Sequence, residues 1–393
     1  MYVRNILFSL RIKKFISILL CVSVFASALC LGSQTASALS GEEISAPSAV
    51  LMEPSTMTVL FDKNSHEVRP CASITKVMTL ILVFEAIDSG AITLEDIVTT
   101  SAHAASMGGS DIWLEEGEEM TVDEMIKAVV VASANDAAVA LAEYISGSED
   151  EFVRKMNEKA KSLGMNETVF KNCNGLDEDG HVTSAYDVAL MSAKLITFEK
   201  IFDYSSIWID TLRGGETQLV NTNKLLKTYK GITGLKTGTT SQAGSCMTAT
   251  AKREGLSLVA VVLGCDTGKS RFADCAKLLD YGFAGYRVEK LVVPEECCEP
   301  VRIKGGMVNS LEVECNVSEN ALLSKASTDK IKSEFKVASQ LEAPIKQGTK
   351  VGMLTYSYNG ATIDEFPIVA KYGCEAMNFG SVYVLLMNKL FSL

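Results

Sequence analysis

The 393-residue sequence predicts two folded domains of different class, a mixed α/β (α+β) domain over residues 39–287 and a small, β-sandwich-like all-β domain over residues 288–375. Three observations carry this expectation. A hydrophobic content of 47% with 22% charged residues is ordinary globular composition, in a chain long enough for two cores. From about Ala46 to Phe283, helical and strand-like periodicities alternate. After Arg287 the texture changes to short β-rich runs, 291–293, 350–358 and 363–369, separated by turns that include Gly305-Gly306 and Asn359-Gly360.

The first 38 residues stand apart. Arg4, Arg11, Lys13 and Lys14 precede the apolar run 15–31, and Ala36-Ser37-Ala38 supplies small residues for cleavage. That is the order of a secretory signal peptide, so the protein is expected to be exported; an uncleaved anchor is the competing reading. Removing this leader takes away four positive charges and no acids, moving the net charge from −11 to about −15. So acidic a surface argues against a nucleic-acid partner. Nine of the eleven cysteines lie beyond residue 38, odd in number, with no C-x-x-C pair or neighbouring histidine. They read as mostly buried free thiols, and neither a metal nor a cofactor is expected.

Residues 52–61 read as two strands and a turn, and Asp62-Lys63-Asn64 opens the loop leading to CASITKVMTL, residues 71–80. From Val77 to Ile87 the pattern is apolar almost all round, as in a helix buried on every side, with Gly90 as its C-cap. Ser73 and Lys76 fall on adjacent turns of one face at its start. A lysine buried there must be paired, lose its proton, or both. Thr121 and Glu124 form a capping box ahead of a helix over 125–133, and a second helix covers 137–144. Residues 245–251 and 256–263 read as a hairpin joined by 252–255, and a final helix over 271–283 closes the domain.

A serine hydroxyl is a poor nucleophile until a base removes its proton, and a neutral lysine one turn away can do so. The spacing Ser73–Lys76 is a weak signal alone. Two further elements strengthen it: Ser133-Ala134-Asn135 between two helices, and Lys236-Thr237-Gly238, preceded by Gly234 and followed by Thr239-Thr240. Separately each has a bland reading, Ser133 as a helix cap and Lys236 as a solvated turn residue. Together they are three elements with distinct jobs.

With these motifs, and with the stretches GEEMTVDEMIKAVVVASANDAAVALAE, LGMNETVFKNCNGLDEDGHVTSAYDVALM, NTNKLLKTYKGITGLKTG and LEAPIKQGTKVGMLTY, the sequence resembles the penicillin-binding serine acyltransferases, and more closely the low-molecular-mass D-alanyl-D-alanine carboxypeptidases. The resemblance implies a transpeptidase-like (serine β-lactamase-like) fold and peptidoglycan stem peptides ending in D-Ala-D-Ala as substrates, with β-lactams as inhibitors. It implies Ser73 as nucleophile, Lys76 as base and Ser133 as proton relay. Asn135 would hold the substrate peptide, Lys236 and Thr237 its carboxylate, and Gly238 would clear the strand for substrate. The backbone N–H groups of Ser73 and Thr239 would form an oxyanion hole. Thr233 departs from the pattern where many relatives carry an acid, and Cys71 lies unusually close to the nucleophile, suggesting sensitivity to oxidation.

Two rivals share the resemblance: a β-lactamase, whose deacylating glutamate is not evident in the region after Ser133-x-Asn135, and a non-catalytic penicillin-binding receptor. The run from Gly264 to Ser270 imitates a phosphate-binding loop but has three residues between its glycines where four are required. His66, His103 and His181 are isolated in sequence, which argues against a serine–histidine triad. The tail is 376–393; from Ser381 on it is apolar apart from a narrow stripe of Ser381, Asn388 and Ser392 beside Lys389. A helix there is too short to span a bilayer and is expected to lie in the membrane surface, on the outer face of the cytoplasmic membrane.

Overall fold

The computed structural model describes residues 39–317, 320–326 and 330–391, so the expected leader lies outside the described residues. The chain opens with the two expected strands, β1 (Ser48–Glu53) and β2 (Thr58–Lys63). A one-turn 3₁₀ segment, Ala72–Thr75, then leads into helix α1 (Lys76–Asp88). Helix α2 (Val122–Lys127) starts at the expected capping box: Thr121 Oγ1 accepts from Glu124 N at 3.2 Å, and Thr121 N donates to Glu124 Oε2 at 3.0 Å. It does not run to Ser133 as an α-helix. Beyond Lys127 it widens into a π-helical segment, Ala128–Ala132, and Ser133 is left-handed at φ 64°. A π-turn inserts extra backbone and re-aims the residues after it. Helix α3 (Asn135–Ser146) comes next and, beyond a further helix over Glu149–Ser162, so does α4 (Ala185–Leu195).

Strands β3 (Ile232–Thr240), β4 (Gly244–Arg253) and β5 (Leu256–Cys265) complete a five-stranded antiparallel sheet ordered β2-β1-β5-β4-β3. The β4–β5 hairpin turns at Glu254 and Gly255, both at positive φ (49° and 84°), the pairing a two-residue hairpin turn needs. Alternate residues sort to opposite faces. Val259, Val261 and Leu263 join one core with Val50 and Met52, while Leu258, Ala260 and Val262 join another with Ala49 and Leu51. Both faces are covered, by α1, α3 and α4 on one side and by α5 (Gly268–Gly285) on the other, which is why these strands read as unbroken apolar runs. The imitation phosphate loop is the start of α5: Thr267 caps it, with Ser270 closing the capping box.

Helix α5 passes directly into the strand Tyr286–Lys290, which pairs with Asn320–Ser324. A four-stranded sheet (Val313–Cys315, Ala361–Ala370, Lys350–Tyr358, Lys332–Val337) and a three-stranded one (Ser310–Leu311, Val301–Lys304, Gln340–Glu342) share a third core that includes Val301, Leu311, Leu354, Phe366 and Ile368. The run 291–293 is not strand, contrary to the sequence reading. Its ladder ends where Lys290 meets Asn320, Pro294 follows, and the Val292 carbonyl accepts from Tyr356 Oη at 2.9 Å instead.

The tail forms helix α6 (Phe379–Phe391), with Phe379 90% and Phe391 78% exposed and Tyr383, Val384, Leu386 and Leu390 also open to solvent. No helix among the described residues is long and apolar enough to cross a membrane. Ser392 lies outside the described residues.

Candidate active site

Ser73 sits in the 3₁₀ turn beside Ala72, whose φ of 49° is left-handed and uncommon for a residue with a side chain. Two glycines press on this turn. A Cβ on Gly175 would lie 2.1 Å from the Ala72 carbonyl, and one on Gly238 would lie 2.8 Å from the Cys71 carbonyl and 2.9 Å from Ser73 N. The bare Cα of Gly238, read from the sequence as clearance for substrate, is first of all clearance for the nucleophile turn.

Lys76 is wholly buried, and its Nζ lies 3.1 Å from Ser73 Oγ, 2.5 Å from Asn135 Oδ1 and 2.5 Å from the Asn174 carbonyl. Burial pushes its pKa down to about 7, partly opposed by Cys173, Asp111 and Asp136. A neutral amine has two N–H donors and one lone pair. The two carbonyls take the donors, and the lone pair is left for the Ser73 hydroxyl. The arrangement is that of a base beside a nucleophile.

The π-turn and left-handed Ser133 carry that hydroxyl to the cleft, where it accepts from Lys236 Nζ at 2.8 Å. Its direct partner is therefore Lys236. Asn135 is clamped by the loop before it: its Nδ2 donates to Gly108 O at 2.6 Å and its backbone N–H to Ser110 O at 2.7 Å. The second N–H of the amide remains for a ligand. Thr237 Oγ1 donates to Thr222 Oγ1 at 2.6 Å.

Lys236 is buried, and burial together with the neighbouring Lys76 and Arg271 pushes its pKa well below the ordinary lysine value. The sequence reading has it hold the substrate carboxylate, a role that calls for a positive charge. Burial and those two cations disfavour that charge, and a nearby anion favours it. Arg271, at the start of α5, donates to Gly238 O at 2.8 Å and to Thr239 Oγ1 at 2.7 Å, which brings a permanent cation to the rim.

The structure thus gathers Ser73, Lys76, Ser133, Asn135, Lys236, Thr237, Gly238 and Thr239 into one cluster. Sequence reasoning missed Asn174, Thr222, Arg271 and His181. Asn174, His181 and Thr222 fall in stretches that carry the family resemblance; nothing local marks Arg271.

Ser73 has no histidine partner, but the histidines are not isolated. His66 lies 3.4 Å from Glu167, His103 lies 2.8 Å from Glu149, and buried His181 lies 2.7 Å from Thr75 Oγ1. Cys71 is fully buried and its thiol is pushed up to about 12 by that burial, so it holds little thiolate; the sensitivity suggested by its sequence position is not supported. Seven of the nine described cysteines are buried. A cavity of about 680 Å³ lined by Phe202, Thr233, Thr250 and Leu258 contains none of the site groups.

Residues 33–267 match the family model described as D-alanyl-D-alanine carboxypeptidase, and residues 286–375 match that of the penicillin-binding protein 5 C-terminal domain. The chain is 44% identical over 338 residues to the D-alanyl-D-alanine carboxypeptidase DacF of Bacillus subtilis (strain 168), covering 85% of this chain and 87% of that one. Among solved structures it is similar to penicillin-binding protein 5 from Haemophilus influenzae (TM-score 0.75, 29% identity, 86% of this chain and 99% of that one). Penicillin-binding protein D2 from Listeria monocytogenes in its ampicillin-bound form is also similar (TM-score 0.57, 33% identity, 61% of this chain and 98% of that one).

Proposed function

The chain belongs to the D-alanyl-D-alanine carboxypeptidase family, and on that premise we propose that Ser73 is the nucleophile of this carboxypeptidase and Lys76 the base that activates it. The observation that carries the proposal is the buried amine 3.1 Å from Ser73 Oγ with its pKa near 7. The substrate is a peptidoglycan stem peptide ending in D-Ala-D-Ala. Ser73 Oγ attacks the carbonyl between the two alanines as Lys76 takes its proton, and the backbone N–H groups of Ser73 and Thr239 hold the oxyanion. Ser133, hydrogen-bonded to Lys236, relays the proton taken up by Lys76 to the leaving amine, and D-alanine departs. Water then hydrolyses the acyl-enzyme.

Strand β3 stands at the edge of its sheet, which suits a substrate added as a further strand, with the spare N–H of Asn135 on its opposite side. Lys236 and the Thr237 hydroxyl receive the terminal carboxylate, with Arg271 holding the strand beside them. β-Lactams enter by the same route and acylate Ser73; the Listeria relative, solved in an ampicillin-bound form, supports binding of a β-lactam. The test is D-alanine release from a D-Ala-D-Ala peptide with and without penicillin. Rapid penicillin hydrolysis would point to a β-lactamase, and labelling without release to a receptor.

Lys236→Ala should cost most with substrates bearing a free terminal carboxylate. Comparing kcat/KM for the acid and its amide checks this, and an unchanged wild-type preference for the acid would remove Lys236 from carboxylate recognition.

The leader and tail complete the proposal: export by residues 1–38, a carboxypeptidase domain over 39–287, a β domain over 288–375 and a membrane-surface helix in 376–393. The apolar side chains that α6 presents to solvent support this last role. Deleting residues 377–393 from the leader-free protein should move it from the membrane to the soluble fraction with D-alanine release intact. A truncated protein still sedimenting with membranes would contradict the anchor.

A further inference from the structure

Behind Ser73 runs a chain of hydrogen bonds whose shortest contacts share one direction. The Lys171 backbone N–H donates to His181 Nδ1 at 3.1 Å, so that nitrogen carries no proton and Nε2 carries one. His181 Nε2–H then donates to Thr75 Oγ1 at 2.7 Å. The single hydroxyl proton of Thr75 goes to the Ala72 carbonyl at 2.9 Å. The Ala72 carbonyl and the Ser73 N–H are the two ends of one peptide group. That N–H is an oxyanion donor in the function proposed above.

We infer that His181 is a positioning residue which, through Thr75, holds and polarises the Ala72–Ser73 peptide so that the Ser73 N–H is a better oxyanion donor. This rests on the assignment of Ser73 and its N–H in the preceding subsection. Two physical effects point the same way. A hydrogen bond accepted by a peptide carbonyl strengthens the donor at the other end of the same group, as chains of hydrogen bonds polarise one another. The turn is also held in an unfavourable conformation, with Ala72 at φ 49°, and such a conformation persists only where its surroundings fix it. Gly175 blocks one side of the Ala72 carbonyl, and Thr75 ties it.

The histidine is suited to the task. It is 4% exposed, with Phe170 edge-on at 5.8 Å. Burial pushes its pKa down to about 4, with Asp177 opposing and Lys171 assisting, so at neutral pH it stays uncharged in one tautomer. Thr75 and its neighbour Cys71 are fully buried, and the thiol lies 3.4 Å from Thr75 Oγ1, farther than the Ala72 carbonyl at 2.9 Å.

The test uses the leader-free enzyme with His181→Asn, His181→Gln and Thr75→Val. A glutamine amide can place an N–H near the position of Nε2, whereas asparagine is too short to reach Thr75. His181→Asn and Thr75→Val should each lower the penicillin acylation rate and kcat about 10- to 100-fold with KM unchanged, short of the ~10²- to 10³-fold cost of deleting an oxyanion donor outright. His181→Gln should recover most of the rate. The double variant His181→Asn/Thr75→Val should be no slower than the worse single one, since both cut the same chain. Nitrogen NMR of His181 should show a protonated Nε2 and a bare Nδ1 at neutral pH. Wild-type rates in His181→Asn, additive losses in the double variant, or a protonated Nδ1 would each overturn the inference. So would variants that lose only thermal stability while active molecules keep their rate. If Ser73→Ala itself still labels with penicillin, it is the underlying assignment that fails.

Discussion

Ser73→Ala is expected to abolish covalent labelling by a fluorescent penicillin and release of D-alanine together. The substitution removes one oxygen from a half-buried position in a turn whose backbone is held by Gly175, Gly238 and Thr75, so the fold should survive it. What disappears is the atom that forms the ester. Melting temperature and circular dichroism should stay close to wild type, which separates loss of the nucleophile from loss of the protein. Labelling of the variant at the wild-type rate would place the acylated residue elsewhere.

Lys76→Ala is expected to slow acylation about 10²- to 10⁴-fold, the range ordinarily supplied by a positioned general base. The loss should be similar for peptides with a free carboxylate, for their amides and for penicillin, because the base acts on Ser73 and not on any substrate group. That uniformity distinguishes it from Lys236→Ala, whose effect should track the carboxylate. Truncation also leaves Asn135 Oδ1 and the Asn174 carbonyl without their donor, each at a cost of about 1–3 kcal/mol if water does not replace it. The variant should therefore be assayed well below its melting temperature. A loss confined to free-acid substrates would transfer the carboxylate role to Lys76.

The parts of this fold that were legible in the sequence are those set by local chemistry. Thr121 and Glu124 make the same capping box in either view. Asn359-Gly360 turns a hairpin because both residues take positive φ, 53° and 78°. Lys76 was conspicuous because a cation in an all-apolar helix has few structural excuses. What was hidden depends on contacts between distant segments. Arg271 reaches Gly238 across 33 residues of chain, and His181 reaches Thr75 across 106. The suppressed charge of Lys236 arises only once the fold sets Lys76 and Arg271 near it. The left-handed Ser133 results from a π-turn in a run of alanine and valine, residues 128–132, whose pattern also suits an uninterrupted α-helix.

The central claim is that Lys76 is buried so that it can act as a neutral base, and the pH dependence of acylation tests it most directly. The neutral amine is the active form, so the rate constant for acylation by a penicillin, whose carboxylate stays ionised throughout, should rise as pH rises through about 7 and then level off. Lys76→Ala should remove that inflection. A wild-type profile with no inflection between about pH 6 and 8, climbing instead toward the ordinary lysine value of about 10.4, would contradict the account.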